Sequence, residues 1–314
     1  MQKQGKTAIY MNGDGWTLVK RRSQRRVDTI VLPENVKADF LNDVAEYLDP
    51  NARAWYAERD LPYRRGYLLH GQPGTGKSSL SFAAAGHFDL DVYVLNLAKV
   101  SDSTLQRLMA KLPARCIVLL EDIDAIESAK SREAVGSEGK PAADSVTLSG
   151  LLNALDGVAS EEGRVLIMTT NHVDRIDRAI IRPGRVDKMI EFGFANRQTL
   201  LGLFQFIYTP LPGKAKETGA KRGADAVQQL AKVFADHVPE MKFSPAEILS
   251  FLTQHKQSPQ SAVDNIKSWL ERKGEGCVPL RSQTSTMTVA SDEIVYVGID
   301  SLLSDADSWT SWTR

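Results

Sequence analysis

The chain has 314 residues, long enough for a large α/β domain and a smaller second one, and its 39 Lys and Arg balance 39 Asp and Glu. That neutral balance lacks the uniformly basic field of a protein that lives on nucleic acid, so no nucleic-acid partner is expected. Cys116 and Cys277 lie too far apart for metal-ligand spacing, and no run approaches the roughly 18 apolar residues that cross a bilayer, so the chain as given reads as soluble, without a disulfide framework or a zinc site.

Residues 1–26 mix Gly, Lys, Arg and isolated apolar residues without a sustained period and read as an irregular or weakly β segment. Their basic cluster, Lys20, Arg21, Arg22, Arg25 and Arg26, reads as a solvated patch. Val36, Phe40, Leu41, Val44 and Leu48 fall on one helical face, which predicts a helix docked on a sheet. The apolar run Gly66–His70 then predicts a buried strand that ends in a glycine-rich loop.

That loop, GQPGTGKS, matches G-x-x-x-x-G-K-[ST] in full between a predicted strand and a predicted helix. Gly74 and Gly76 let the backbone curl so that successive N–H groups and the next helix N-terminus face phosphate oxygens. The expected cradle comprises Gly71, Gln72, Pro73, Gly74, Thr75, Gly76, Lys77, Ser78 and Ser79. Within it Lys77 neutralises the terminal phosphates of ATP and Ser78 offers its hydroxyl to Mg2+.

Further along, the buried-strand candidates Asp91–Leu97, Cys116–Leu120, Arg164–Thr169 and Met189–Phe194 alternate with helical patterns. This order predicts a doubly wound parallel sheet with helices on both faces. The run Ile117–Leu120 delivers Glu121 and Asp122 to the mouth of the sheet, where one acid holds the metal and the other handles the attacking water. The strand Val165–Thr169 ends at Thr170 and Asn171, an amide within reach of the γ phosphate or the lytic water. In AIIRPGRVD, Arg182 and Arg185 flank a stiff Pro-Gly turn and suit bidentate contact with phosphate. Segments 128–145 and 209–225 are poor in large apolar residues and read as loops, and Ser244, Pro245 and Glu247, then Ser258 and Pro259, signal the helices of a small lid domain. The Ser- and Thr-rich tail from 276 carries one β-like run, Ile294–Val297, with no evident role.

Taken in order, GQPGTGKS, VLLEDID, MTTN and IIRPGR resemble the AAA ATPases, a P-loop family that works as rings. PYRRGYLLHG, LSGLLNALDG and TTNHVDRIDRAIIRPGRVD resemble the mitochondrial Bcs-type AAA chaperones, especially fungal ones, over roughly residues 7–275. The resemblance implies ATP and Mg2+ as ligands, with Ser78 and Glu121 on the metal and Asp122 on the water. It also makes Asn171 a sensor of the γ phosphate and Arg182 and Arg185 fingers that enter a neighbour's site in a homo-oligomeric ring. Glu121 and Asp122 stand in the reverse of the common AAA order, as in the Bcs type.

The family assists respiratory complex III assembly at the mitochondrial inner membrane by moving the folded Rieske iron–sulfur protein, which is the client the resemblance implies. It also divides the chain into a family-specific N-terminal remnant at 1–26, a large ATPase domain at 27–208, a loop at 209–225, a helical lid at 226–275 and a polar tail at 276–314. The chain lacks the family's N-terminal membrane helix, which reads as a fragment or a diverged paralogue. The stretch Leu97–Leu105 has no aromatic residue of the kind that threads peptides through a ring. Two other readings fit parts of the pattern: an ATP-binding scaffold with little turnover, given the reversed acids, and a GTPase, given Asn171-His172-Val173-Asp174.

Overall fold

Seven strands form one sheet in the order β2-β1-β4-β5-β6-β3-β7 in the computed structural model, which describes residues 5–30, 32–125, 146–156, 162–209 and 217–275. The strands are β1 (Lys6–Asn12), β2 (Trp16–Ser23), β3 (Arg65–Gly71), β4 (Val92–Asn96), β5 (Ile117–Glu121), β6 (Val165–Thr170) and β7 (Lys188–Phe192). All neighbours run parallel except β1 and β2, an antiparallel hairpin at the edge. The helices are α1 (Glu34–Tyr47), α2 (Ala52–Ala57), α3 (Lys77–His87), α4 (Asp102–Ala110), α5 (Leu148–Asp156), α6 (Arg197–Tyr208), α7 (Glu217–His237), α8 (Pro245–Gln254) and α9 (Pro259–Glu275).

The strand sequences are apolar on both sides because the sheet is covered on both sides. Along β5, Ile117 and Leu119 enter one core with Phe40 and Val44 of α1 and Leu80 of α3, whereas Val118 and Leu120 enter the other with Leu105 of α4 and Leu151 of α5. Parallel strands joined through helices place every loop that follows a strand at one mouth, where β3, β5 and β6 present their C-terminal ends together.

A third core is helical. Ala195, Leu200 and Phe204 pack with Phe234 of α7, Ile248 and Phe251 of α8 and Ile266 of α9. The helical body therefore takes in α6 and begins near Ala195, ahead of the boundary expected at 226. Its α8 opens with a complete capping box, in which the Ser244 Oγ accepts from the Glu247 N–H at 3.3 Å and Glu247 returns the bond to the Ser244 N–H at 3.0 Å. The chain divides into units 1–271 and 272–314, the second contributing to the described residues only the end of α9.

Two expectations are corrected. Residues 1–26, read as irregular or weakly β, contain a regular hairpin whose β1 pairs with β4 inside the same sheet, so the β alternative holds and the irregular one does not. The period was hidden because β2 is an exposed edge strand with no buried face and because the register slips between Ile9 and Tyr10. The second half of the loop expected at 209–225 is helix, since α7 starts at Glu217. The loop at 128–145 and the tail from 276, with Cys277 and Ile294–Val297, lie outside the described residues. Cys116 is a buried free thiol whose proton affinity burial pushes up to about 12, the small hydrophobe its apolar surroundings suggest.

Candidate functional site

The strand β3 runs buried between β6 and β7 and leaves the sheet at Gly71, whose φ of 132° and close approach to β7 both require glycine: a Cβ there would lie 2.0 Å from the Phe192 carbonyl oxygen. Gly74 and Gly76 are also left-handed, which curls the loop over the N-terminus of α3. Exposed Gln72 and Pro73 form the outer rim, Thr75 closes the turn by donating to the Gln72 carbonyl at 2.7 Å, and Ser79 sits half-buried on the first turn of α3.

Lys77 is buried and folded back into the cradle, donating to the carbonyls of Gly71 at 2.7 Å and Gln72 at 2.9 Å and to Asn171 Oδ1 at 2.7 Å. Burial lowers its proton affinity, and the Asp122 and Asp124 carboxylates pull the other way. The Asn171 amide bridges the site, since its Nδ2 donates to Asp122 Oδ1 at 3.1 Å. Ser78 donates to Glu121 Oε1 at 2.8 Å. A hydroxyl and a carboxylate brought together beside a phosphate cradle are the hard oxygen donors that Mg2+ prefers, so these residues fit the ion.

Burial holds Glu121 above the usual carboxylate range, with Asp122 adding to the rise and the Ser78 hydroxyl opposing it. Asp122 is raised too, by burial and by Asp124, against the pull of Lys77. Asp122 also occupies the left-handed region at φ 49°, which turns its side chain away from the strand line and toward Asn171. The sequence reading missed the support behind these acids. Thr169 Oγ1 accepts from the Asp122 N–H at 3.2 Å, and Thr170 donates to Asp124 Oδ1 at 2.7 Å. Their signal was the polar pair ending an otherwise apolar β6.

Arg182 and Arg185 are elsewhere. Their turn packs on the start of β3, where Gly66 exchanges bonds with Asp187 at 2.8 and 2.9 Å and a Cβ would meet the Arg185 carbonyl at 1.8 Å. The phosphate loop leaves the other end of the same strand, roughly 17 Å away at about 3.3 Å per residue. Arg182 is exposed, whereas Arg185 donates to Asp156 Oδ2 at 2.5 Å and to the Ala179 carbonyl.

A cavity of about 640 Å³ opens between the 3-10 turn Val27–Thr29 and α6, lined by Thr29, Ile30, Leu32, Thr199, Gly202 and Phe206 among others. One wall, the turn, packs on α3, and the other, α6, follows β7, which pairs with Gly71. The helical body touches the cradle directly, through the Ala246 N–H donating to the Gly74 carbonyl at 3.1 Å.

Residues 67–194 match the family described as "ATPase family associated with various cellular activities (AAA)", and residues 203–268 match "Mitochondrial chaperone BCS1-like, ATPase lid domain". The chain is 39% identical over 273 residues to "Mitochondrial chaperone BCS1" of Bos taurus, an alignment covering 85% of this chain and 61% of that protein. It is 38% identical over 298 residues to "Probable mitochondrial chaperone BCS1-B" of Dictyostelium discoideum, covering 86% and 61%. It is 39% identical over 248 residues to "Probable mitochondrial chaperone bcs1" of Schizosaccharomyces pombe, covering 78% and 50%. The chain thus spans about three fifths of the length of the first two.

Proposed function

Because the chain belongs to the AAA ATPase family, in its BCS1-like branch, we propose that it hydrolyses ATP at the β3–α3 cradle and that hydrolysis is completed by a neighbouring copy. The observation that carries this reading is the pair of hydrogen-bonded groups at the mouth of the sheet, Ser78–Glu121 and Lys77–Asn171–Asp122. Lys77 and the loop N–H groups hold the phosphates, and Ser78 and Glu121 hold Mg2+. An Mg2+ ion held by these two residues would supply Lewis-acid stabilisation of the charge on the phosphates. Asp122 takes the proton of the attacking water, and Asn171, already bonded to Asp122, orients it. The cavity beside Ile30 and Gly202 receives the base.

Distance supports trans completion: the arginine turn lies at the far end of β3 from its own subunit's phosphate loop, and in this reading it serves the phosphates of the next subunit in a ring. Arg182 is the exposed member of the pair, and Arg185, held by Asp156, braces the turn. The work done is on a protein client in the mitochondrion, as the names of the relatives suggest, and the Rieske protein is the client that the family resemblance proposes. Peptide threading is not supported: Leu97 and Val100, the apolar residues after β4, are buried in the core rather than presented to a pore.

Phosphate release by the purified protein with ATP and with GTP, alongside affinity for a fluorescent ATP analogue, tests the reading. ATP-specific release that disappears in Lys77→Ala supports it. Tight ATP binding without release would leave a nucleotide-binding scaffold, and preference for GTP would overturn the assignment of the base.

A further inference from the structure

We propose that Asn12, in the edge hairpin, is a positioning residue for hydrolysis, holding the strand end that borders the catalytic mouth; this rests on the ATPase reading above. The β1–β4 ladder ends at Met11 and Val94. There the side chain of Asn12 takes over from the backbone: its Oδ1 accepts from the Asn96 N–H at 2.8 Å and its Nδ2 reaches the Asn96 carbonyl at 3.4 Å. One side-chain amide thus mimics a further strand residue.

The residue it holds is the last of β4 and stands in register with Glu121 on β5. Asn96 in turn caps the 3-10 turn Leu97–Lys99, accepting from the Ala98 N–H at 3.1 Å. The same hairpin grips the elements on either side of that turn. Tyr10 stacks on Tyr93 of β4 at 4.6 Å between ring centres, and the Trp16 Nε1 donates to the Leu108 carbonyl of α4 at 2.9 Å. The hairpin therefore braces the wall next to the acid pair. Small displacements of reacting groups cost rate more than they cost binding, so Asn12 acts on turnover.

The experiment compares wild type, Asn12→Ala and Asn12→Asp by kcat, KM for ATP and Tm. Loss of the two hydrogen bonds to the Asn96 backbone predicts that Asn12→Ala lowers kcat about three- to tenfold, with KM unchanged and Tm lowered by no more than roughly 2–4 °C. Asn12→Asp keeps the acceptor for the Asn96 N–H but turns an oxygen toward the Asn96 carbonyl, and should fall between the two. A wild-type kcat in Asn12→Ala overturns the inference alone. So does a fall in kcat matched by a weaker KM and a larger drop in Tm with Asp no better than Ala, which marks a merely structural bond. An inert wild type defeats the ATPase reading and the inference with it.

Discussion

At the residue scale the site is built from groups whose surroundings oppose their charge. Lys77 is buried and its three oxygen partners are all uncharged, so its charge is available for the terminal phosphates. Lys77→Ala is expected to abolish measurable ATP binding, which a fluorescent analogue checks; wild-type affinity there would refute the site. Asp122 carries two costs, a left-handed backbone and a carboxyl whose folded proton affinity is raised by burial and by Asp124. For an acid raised on folding, the destabilisation is full above its folded pKa and is relieved as pH falls through it. Asp122→Asn removes that charge and places in the left-handed region a residue that tolerates it well. It should keep ATP binding, lose turnover and raise Tm at pH 7 by about 1 °C, the electrostatic part being small because the side chain is partly solvated. Near-normal turnover in this variant would move the water-handling role to Glu121 or elsewhere.

At the element scale, legibility followed burial. β3, β5 and β6 are inner strands with both faces covered, so their apolar runs stood out, and the loop between β3 and α3 has a spacing dictated by phosphate geometry. Ser244, Pro245 and Glu247 announced α8 because a cap is a local device. The hairpin was not legible, since β2 buries no face and its hold on the mouth runs through Asn12 and Asn96, 84 positions apart. Nor was the cavity between the Val27–Thr29 turn and α6, whose walls meet only in the folded chain. The cap gives an element-scale prediction. Ser244→Ala removes the acceptor for the Glu247 N–H and should cost about 1 kcal/mol, read as a drop in Tm of roughly 2–4 °C. An unchanged Tm would mean that α8 is held by its packing on Phe234 and Ile266 and owes nothing to its cap.

At the scale of the whole molecule, Arg182 is separated from its own phosphate loop by the length of β3, and under the trans completion proposed above hydrolysis depends on assembly. An arginine supplied in trans is worth roughly 10³- to 10⁵-fold in rate in related P-loop systems. Arg182→Ala should therefore bind ATP with wild-type affinity, hydrolyse it poorly and keep its Tm, because its side chain is exposed and makes no hydrogen bond or ion pair among the described residues. Arg185→Ala should lower Tm as well, because it removes one of the two arginines that hold Asp156 and the donor to the Ala179 carbonyl. Mixing separates the two sides of the interface. Arg182→Ala retains its acids and Asp122→Asn retains its arginines, so each alone is inactive. Under conditions that exchange subunits, an interface pairing the acids of the first with the arginines of the second is intact, and activity should return. The recovery should follow the fraction of mixed neighbours and vanish at dilutions where light scattering shows only monomer. Mixed oligomers that form and stay inactive would overturn the trans assignment. A strictly monomeric wild type with full activity would do the same, since a lone subunit has no neighbour to complete its site.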